Sequence, residues 1–139
     1  MKVIFLEDNY FAAKTKTFLE QNGYEVYHAK DISEARELID SGEKFDAAIF
    51  DLDMDKRYLP PELRAETGEA GWIYYKHVLS RIEPLGKNAV IFSAILDQYK
   101  KATPKDEYNH LILVNKNDTD RLEQLKNALE IIRGRLRIS

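Results

Sequence analysis

Five short apolar runs, each followed by a stretch of different period, constrain this chain more than any other feature. The runs are Lys2–Leu6, 24–28, 45–50, 89–92 and 111–114. Residues 9–21 then carry Phe11, Ala12, Thr15, Phe18 and Leu19 at helical spacing, with Gly23 as a stop. Asp31 and Glu34 form a capping box for a helix with Ala35, Leu38 and Ile39 inward, closing near Gly42. A third helix is predicted from about Trp72, through Ile73, Tyr75, Val78, Leu79 and Ile82. Residues 97–109 are polar and hold Pro104, so a helix there is short or bent. Asp120 and Glu123 form a capping box for a last helix with Leu122, Leu125, Ala128, Leu129 and Ile132 on one face. Residues 53–71 alone break the rhythm, with Pro60-Pro61, mixed charges and no apolar period. Trp72, Tyr74 and Tyr75 are expected to pack against that stretch. Alternating strands and helices, with strands apolar on both faces, predict an α/β fold: a parallel sheet covered by helices on both sides.

Composition narrows the function classes. A chain of 139 residues fits one domain, 1–139, with a real core. Its 44% hydrophobic and 32% charged residues are those of a soluble globular protein. A net charge of −3 gives no electrostatic case for nucleic acid or an anionic membrane. With no cysteine there is no disulfide, thiolate metal site or thiol nucleophile. The apolar runs fall far short of the ~20 residues of a membrane span. The N-terminus enters a strand without a signal-peptide pattern, so a cytoplasmic address is the default. His28, His77 and His110 have no metal-ligand spacing and read as structural or surface residues. Arg133, Arg135 and Arg137 suit the negative end of the last helix. Ile131, Leu136 and Ile138 lie off its core face and could serve a partner or a self-dimer.

The strand ends carry the chemistry. In a parallel sheet they emerge at one edge, where such folds place their ligands. The first strand ends in Glu7-Asp8, the third in Asp51, the fourth in Ser93 and the fifth leads to Lys116. Converging carboxylates repel, so they must take up a proton or share a cation. Hard oxygen ligands suit Mg²⁺. Asp8 and Asp51 would bind it directly, Glu7 directly or through water, and the Asp53 backbone carbonyl would add another oxygen. Asp51 could then attack phosphorus as a carboxylate nucleophile, giving an acyl phosphate. Ser93 and Lys116 would donate to the phosphoryl oxygens.

On these residues the chain resembles the receiver domain of two-component response regulators, over essentially its whole length. The motifs are Phe5-Leu6-Glu7-Asp8-Asn9, Phe45-Asp46-Ala47-Ala48-Ile49-Phe50-Asp51, Ile91-Phe92-Ser93-Ala94 and Val114-Asn115-Lys116. The family's acidic pair, phosphoacceptor, hydroxyl and lysine fall on Glu7 and Asp8, Asp51, Ser93 and Lys116. The spacing fits if residues 54–69 are an insertion that covers the pocket or offers a partner surface. The resemblance implies a CheY-like, flavodoxin-like doubly wound sheet of strand order 2-1-3-4-5. It also implies phosphoryl transfer from a sensor histidine kinase or histidine phosphotransfer protein, Mg²⁺ as cofactor, and a switch rather than an enzyme. The output would pass through a downstream protein or a self-dimer through the last helix.

Three positions depart from the family. Asn117 replaces the proline that follows the lysine in a cis peptide, so this loop is expected to be trans. Leu113 occupies the aromatic switch position. The fourth helix is weak around Pro104. A pseudo-receiver that keeps the fold and loses the switch is therefore an alternative. Ile49-Phe50-Asp51-Leu52-Asp53 also resembles the opening motif of haloacid-dehalogenase-type phosphatases. That motif belongs on a first strand, however, and it leaves Glu7-Asp8 without a role.

Overall fold

A computed structural model describes residues 1–138, the side chain of Ile138 excepted, so the expectation for that side chain lies outside the described residues. The strands are β1 (Lys2–Leu6), β2 (Glu25–Ala29), β3 (Ala47–Phe50), β4 (Ala89–Ser93) and β5 (Ile112–Asn115). The helices are α1 (Ala12–Gln21), α2 (Ile32–Asp40), α3 (Ala70–His77), α4 (Leu96–Ala102) and α5 (Arg121–Ile138). All strand pairs are parallel, in the order β2-β1-β3-β4-β5. This is the expected three-layer doubly wound sheet.

Side-chain alternation splits the core in two. Val3 and Phe5 of β1, with Ala47, Ile49, Val90 and Phe92, pack under α1 and α5. Ile4 and Leu6, with Ala48, Phe50 and Ile91, pack under α2, α3 and α4. Among the described residues, no helix is long and apolar enough to cross a membrane.

The caps explain the helix starts. The Asp31 carboxylate accepts the Glu34 N–H at 2.8 Å, and the Glu34 carboxylate reaches back to the Lys30 N–H at 2.8 Å. The Asp120 carboxylate accepts the Gln124 side-chain amide at 2.7 Å. The Asn9 side chain accepts the Phe11 N–H at 2.8 Å. Helix α1 therefore begins only at Ala12 rather than near Asn9, and Phe11, placed in the helical pattern from sequence, is 52% exposed. Its position before the first helical turn takes it off the apolar stripe.

Helix α3 is shorter than its apolar pattern predicts. It starts at Ala70 and ends at His77, and Leu79–Arg81 forms a separate 3-10 turn. Val78 leaves helical geometry at φ −123°, and the next residue, Leu79, is fully buried. The returning chain crosses this turn so closely that a Cβ on Gly86 would lie 2.4 Å from the Ser80 carbonyl oxygen. Ile82 thus packs on the core from outside the helix.

Residues 52–69 hold two single 3-10 turns, Lys56–Tyr58 and Pro61–Leu63. Leu52, Met54 and Leu59 are buried anchors in the α2–α4 layer. Glu66 ties the segment to α3 through Lys76 at 3.2 Å and His77 at 2.7 Å. Pro60 and Pro61 face Tyr74 and Val78 of the α3 region and Ile39 of α2 across a hollow of about 360 Å³. The middle of the segment therefore lies against α2 and α3, and its two ends border the strand tips.

Candidate functional site

Backbone ladders assemble the site by running one residue past each strand. The Glu7 N–H donates to the Ala29 carbonyl at 3.0 Å, the Asp51 N–H to Leu6 at 3.1 Å, and the Lys116 N–H to Ser93 at 3.1 Å. These bonds line up Glu7, Asp51, Ser93 and Lys116 along one edge. Glu7 is 2% and Asp51 6% exposed, Ser93 is fully buried, and Asp8 is exposed.

The Lys116 ammonium sits among the carboxylates. It donates to Asp51 Oδ2 at 2.8 Å and pairs with Glu7 Oε1. Its Nζ also lies 5.3 Å from the centre of the Phe92 ring. Burial works against this charge, but Asp51 and Glu7 outweigh it and raise the Lys116 pKa. Burial dominates at Glu7 and pushes its carboxyl up to about 7 despite Lys116, with the Asp51 charge adding to the rise. Asp8 is raised too, by burial and then by the charge of Asp51.

The donor set fits a divalent cation. Glu7, Asp8 and Asp51 each offer a carboxylate oxygen, all within 4.8 Å of one another. Three carboxylates face one ammonium, an imbalance of two negative charges when all are ionised. Glu7 Oε2 is buried with no hydrogen-bond partner among the described residues. A buried carboxylate oxygen left unpaired is costly, and a hard cation would satisfy it.

The remaining polar groups close the pocket. The Asp53 N–H donates to Asp51 Oδ1 at 3.3 Å. Ser93 Oγ accepts the Ile95 N–H at 3.3 Å, which leaves its own proton for another acceptor. Lys116–Asn117 is a trans peptide; among the described residues the cis bond is Glu83–Pro84. The Asn117 amide instead ties the loop to the Ala94 carbonyl at 3.2 Å. A hollow of about 310 Å³ opens beside Lys116, bordered by Phe11, Thr15, Phe92 and Arg121. Leu113 is half-buried against the α2–α4 core.

Three residues here were given no role at the site from sequence, His28 having been read as structural or surface. Glu69 precedes α3 with a raised pKa, from burial first and then from the charges of Asp53 and Asp51. Gly71 packs on the strand end: its N–H donates to the Leu52 carbonyl at 2.9 Å, and a Cβ there would lie 1.8 Å from the Asp51 carbonyl oxygen. Only glycine permits this approach. His28 bonds the Glu7 backbone at 2.7 Å. A glycine near a helix start was the one visible signal; the other two contacts are long-range.

The fold matches known structures. The receiver domain of a response regulator from Clostridium thermocellum superposes with a TM-score of 0.67 at 20% identity, over 99% of this chain and 97% of that one. The Francisella response regulator 1452 receiver domain gives 0.65 at 19% identity, over 97% and 98%. Chemotaxis protein CheY4 from Vibrio cholerae gives 0.68 at 20%, over 94% and 97%. The fold is that of a CheY-like receiver domain. No protein-family model and no curated protein matches the sequence itself.

Proposed function

We propose that the chain is a response-regulator receiver domain that accepts a phosphoryl group on Asp51. The donor would be a sensor histidine kinase or a histidine phosphotransfer protein. The observation that carries this reading is Lys116 Nζ bridging Asp51 and Glu7, with Asp8 beside them, at the tips of a receiver-fold sheet. Mg²⁺ would be held by Glu7, Asp8 and Asp51, with the Asp53 backbone carbonyl as a further oxygen. It would supply the positive charge that lets an anionic phosphoryl group approach carboxylates.

The chain's own residues account for the rest. An Asp51 carboxylate oxygen attacks phosphorus. The P–N bond of the donor's phosphohistidine breaks, the imidazole leaves, and the new P–O bond is an acyl phosphate. Lys116 transfers its hydrogen bond from Asp51 to the phosphoryl oxygens, and Ser93 donates its free proton there. The chemistry is one event per Asp51 followed by hydrolysis of its own acyl phosphate, so the chain is a signalling switch and not a turnover enzyme.

Residues 54–69 are an insertion on this reading. Their packing against α2 and α3 suits a partner-specific surface better than a cover over the pocket. With Leu113 at the switch position, output passes to a downstream protein or to a second copy through α5, where Ile131 is 53% exposed.

Incubation with Mg²⁺ and acetyl phosphate, followed by intact-mass analysis, tests the proposal. One labile phosphoryl adduct is expected in the wild type and none in Asp51→Asn. No adduct from acetyl phosphate or from phosphorylated histidine donors would leave a pseudo-receiver. Sustained turnover of a phosphomonoester would leave a phosphatase.

A further inference from the structure

The two acids that follow β1 share one peptide bond, Glu7–Asp8, and its carbonyl is anchored from an unexpected quarter. In a parallel pair, a residue that donates to one partner accepts from the residue two positions further on. The Glu7 N–H donates to Ala29, so its carbonyl would accept from the N–H of Asp31. There β2 has ended, and Asp31 has turned away to cap α2, accepting the Glu34 N–H at 2.8 Å. The ring of His28 takes over, with Nε2 lying 2.7 Å from the Glu7 carbonyl oxygen. A carbonyl only accepts, so Nε2 carries the proton, in the neutral ring as in the charged one. The ring is braced against Phe5, with centroids 5.4 Å apart.

We infer that His28 is a positioning residue for the acidic pair: its Nε2–H fixes the Glu7–Asp8 peptide plane and thereby aims both carboxylates at the cation site. That plane sets the direction in which Asp8 leaves the strand. Asp8 is the exposed acid of the cluster, and among the described residues no other residue holds its carboxylate by a hydrogen bond or ion pair, whereas Glu7 is held by Lys116. Outer partners that orient ligating groups typically change metal affinity by about 10- to 100-fold when removed.

The inference rests on the proposed reading of Glu7, Asp8 and Asp51 as a Mg²⁺ site, and the test separates the two. Mg²⁺ affinity is measured by isothermal titration calorimetry, near neutral pH, on the wild type, His28→Ala, His28→Gln and His28→Asn. Glutamine places its amide N–H where Nε2 stood; asparagine carries the same amide but is too short. About a tenfold loss is expected in His28→Ala and His28→Asn, with recovery to within about twofold in His28→Gln. Thermal melts identify any variant that fails to fold, and the Gln–Asn pair then decides alone. Equal affinity in all variants, or a loss that glutamine does not restore, overturns the role of His28. A wild type that binds no Mg²⁺ overturns the metal site itself, and the inference with it.

Discussion

Phe50 and Asp51 are neighbours in the chain, and they open onto regions with opposite physics. Phe50 starts an aromatic layer. Tyr75 stacks on it at 5.2 Å, Trp72 stacks on Tyr75 at 5.4 Å, and Tyr99 meets Trp72 edge-on at 5.2 Å. Each ring buries apolar surface, so each contact stabilises the fold. Asp51 starts a charged cluster in which burial works the other way. One ammonium offsets two buried carboxylates, and Glu7 Oε2 is left without a hydrogen bond among the described residues. The aromatic layer carries no charge, although the Tyr99 hydroxyl at its end is buried without a hydrogen bond among the described residues. The charged pocket carries an unmet electrostatic demand, which is the mark of a site built to receive something.

Removing an aromatic ring should expose this contrast most strongly. Trp72→Ala should lose about 4 kcal/mol in urea denaturation, and the loss should be the same at about pH 5 and about pH 8. A pH-dependent loss would tie the aromatic layer to the charges and erase the distinction.

Lys116→Met should cost about 3 kcal/mol at about pH 8, because it strands two buried carboxylates. The loss should shrink at about pH 5, where Glu7 takes up a proton. A loss independent of pH would mean that Lys116 acts through packing on Phe92.

The smallest effect per pH unit concerns Glu7 alone. Burial raises its folded-state pKa from 4.5 to about 7. Its contribution to stability is therefore fully present below 4.5 and lost as pH rises through about 7. The slope should not exceed about 1.4 kcal/mol per pH unit, the limit for one proton. In the Mg²⁺-free protein, urea midpoints across this window should fall relative to those of Glu7→Gln. Parallel profiles would place Glu7 in a wetter setting than its 2% exposure implies.

Much of the fold was legible because strand and helix periods are local properties. The runs ending at Leu6, Phe50 and Ser93 showed which residues stand at strand tips. The error at Phe11 arose at a helix boundary, where the Asn9 side chain, rather than the apolar pattern, decides the first turn. The error in α3 came from Gly86 crossing the Leu79–Arg81 turn, a contact invisible to periodicity. Residues 52–69 lacked a period because Leu52, Met54 and Leu59 are separate anchors rather than one face of an element.

The sequence by itself determined the candidate chemistry. A parallel sheet must bring its strand ends to one edge, so Glu7, Asp8, Asp51, Ser93 and Lys116 had to converge. Tertiary structure alone decided how they divide the work. It sank Glu7 and left Asp8 exposed, gave both Glu7 and Asp51 to Lys116, and set His28 behind the acidic pair. Burial and pairing depend on which distant residues close over a group, and a residue's place along its own strand does not specify those neighbours.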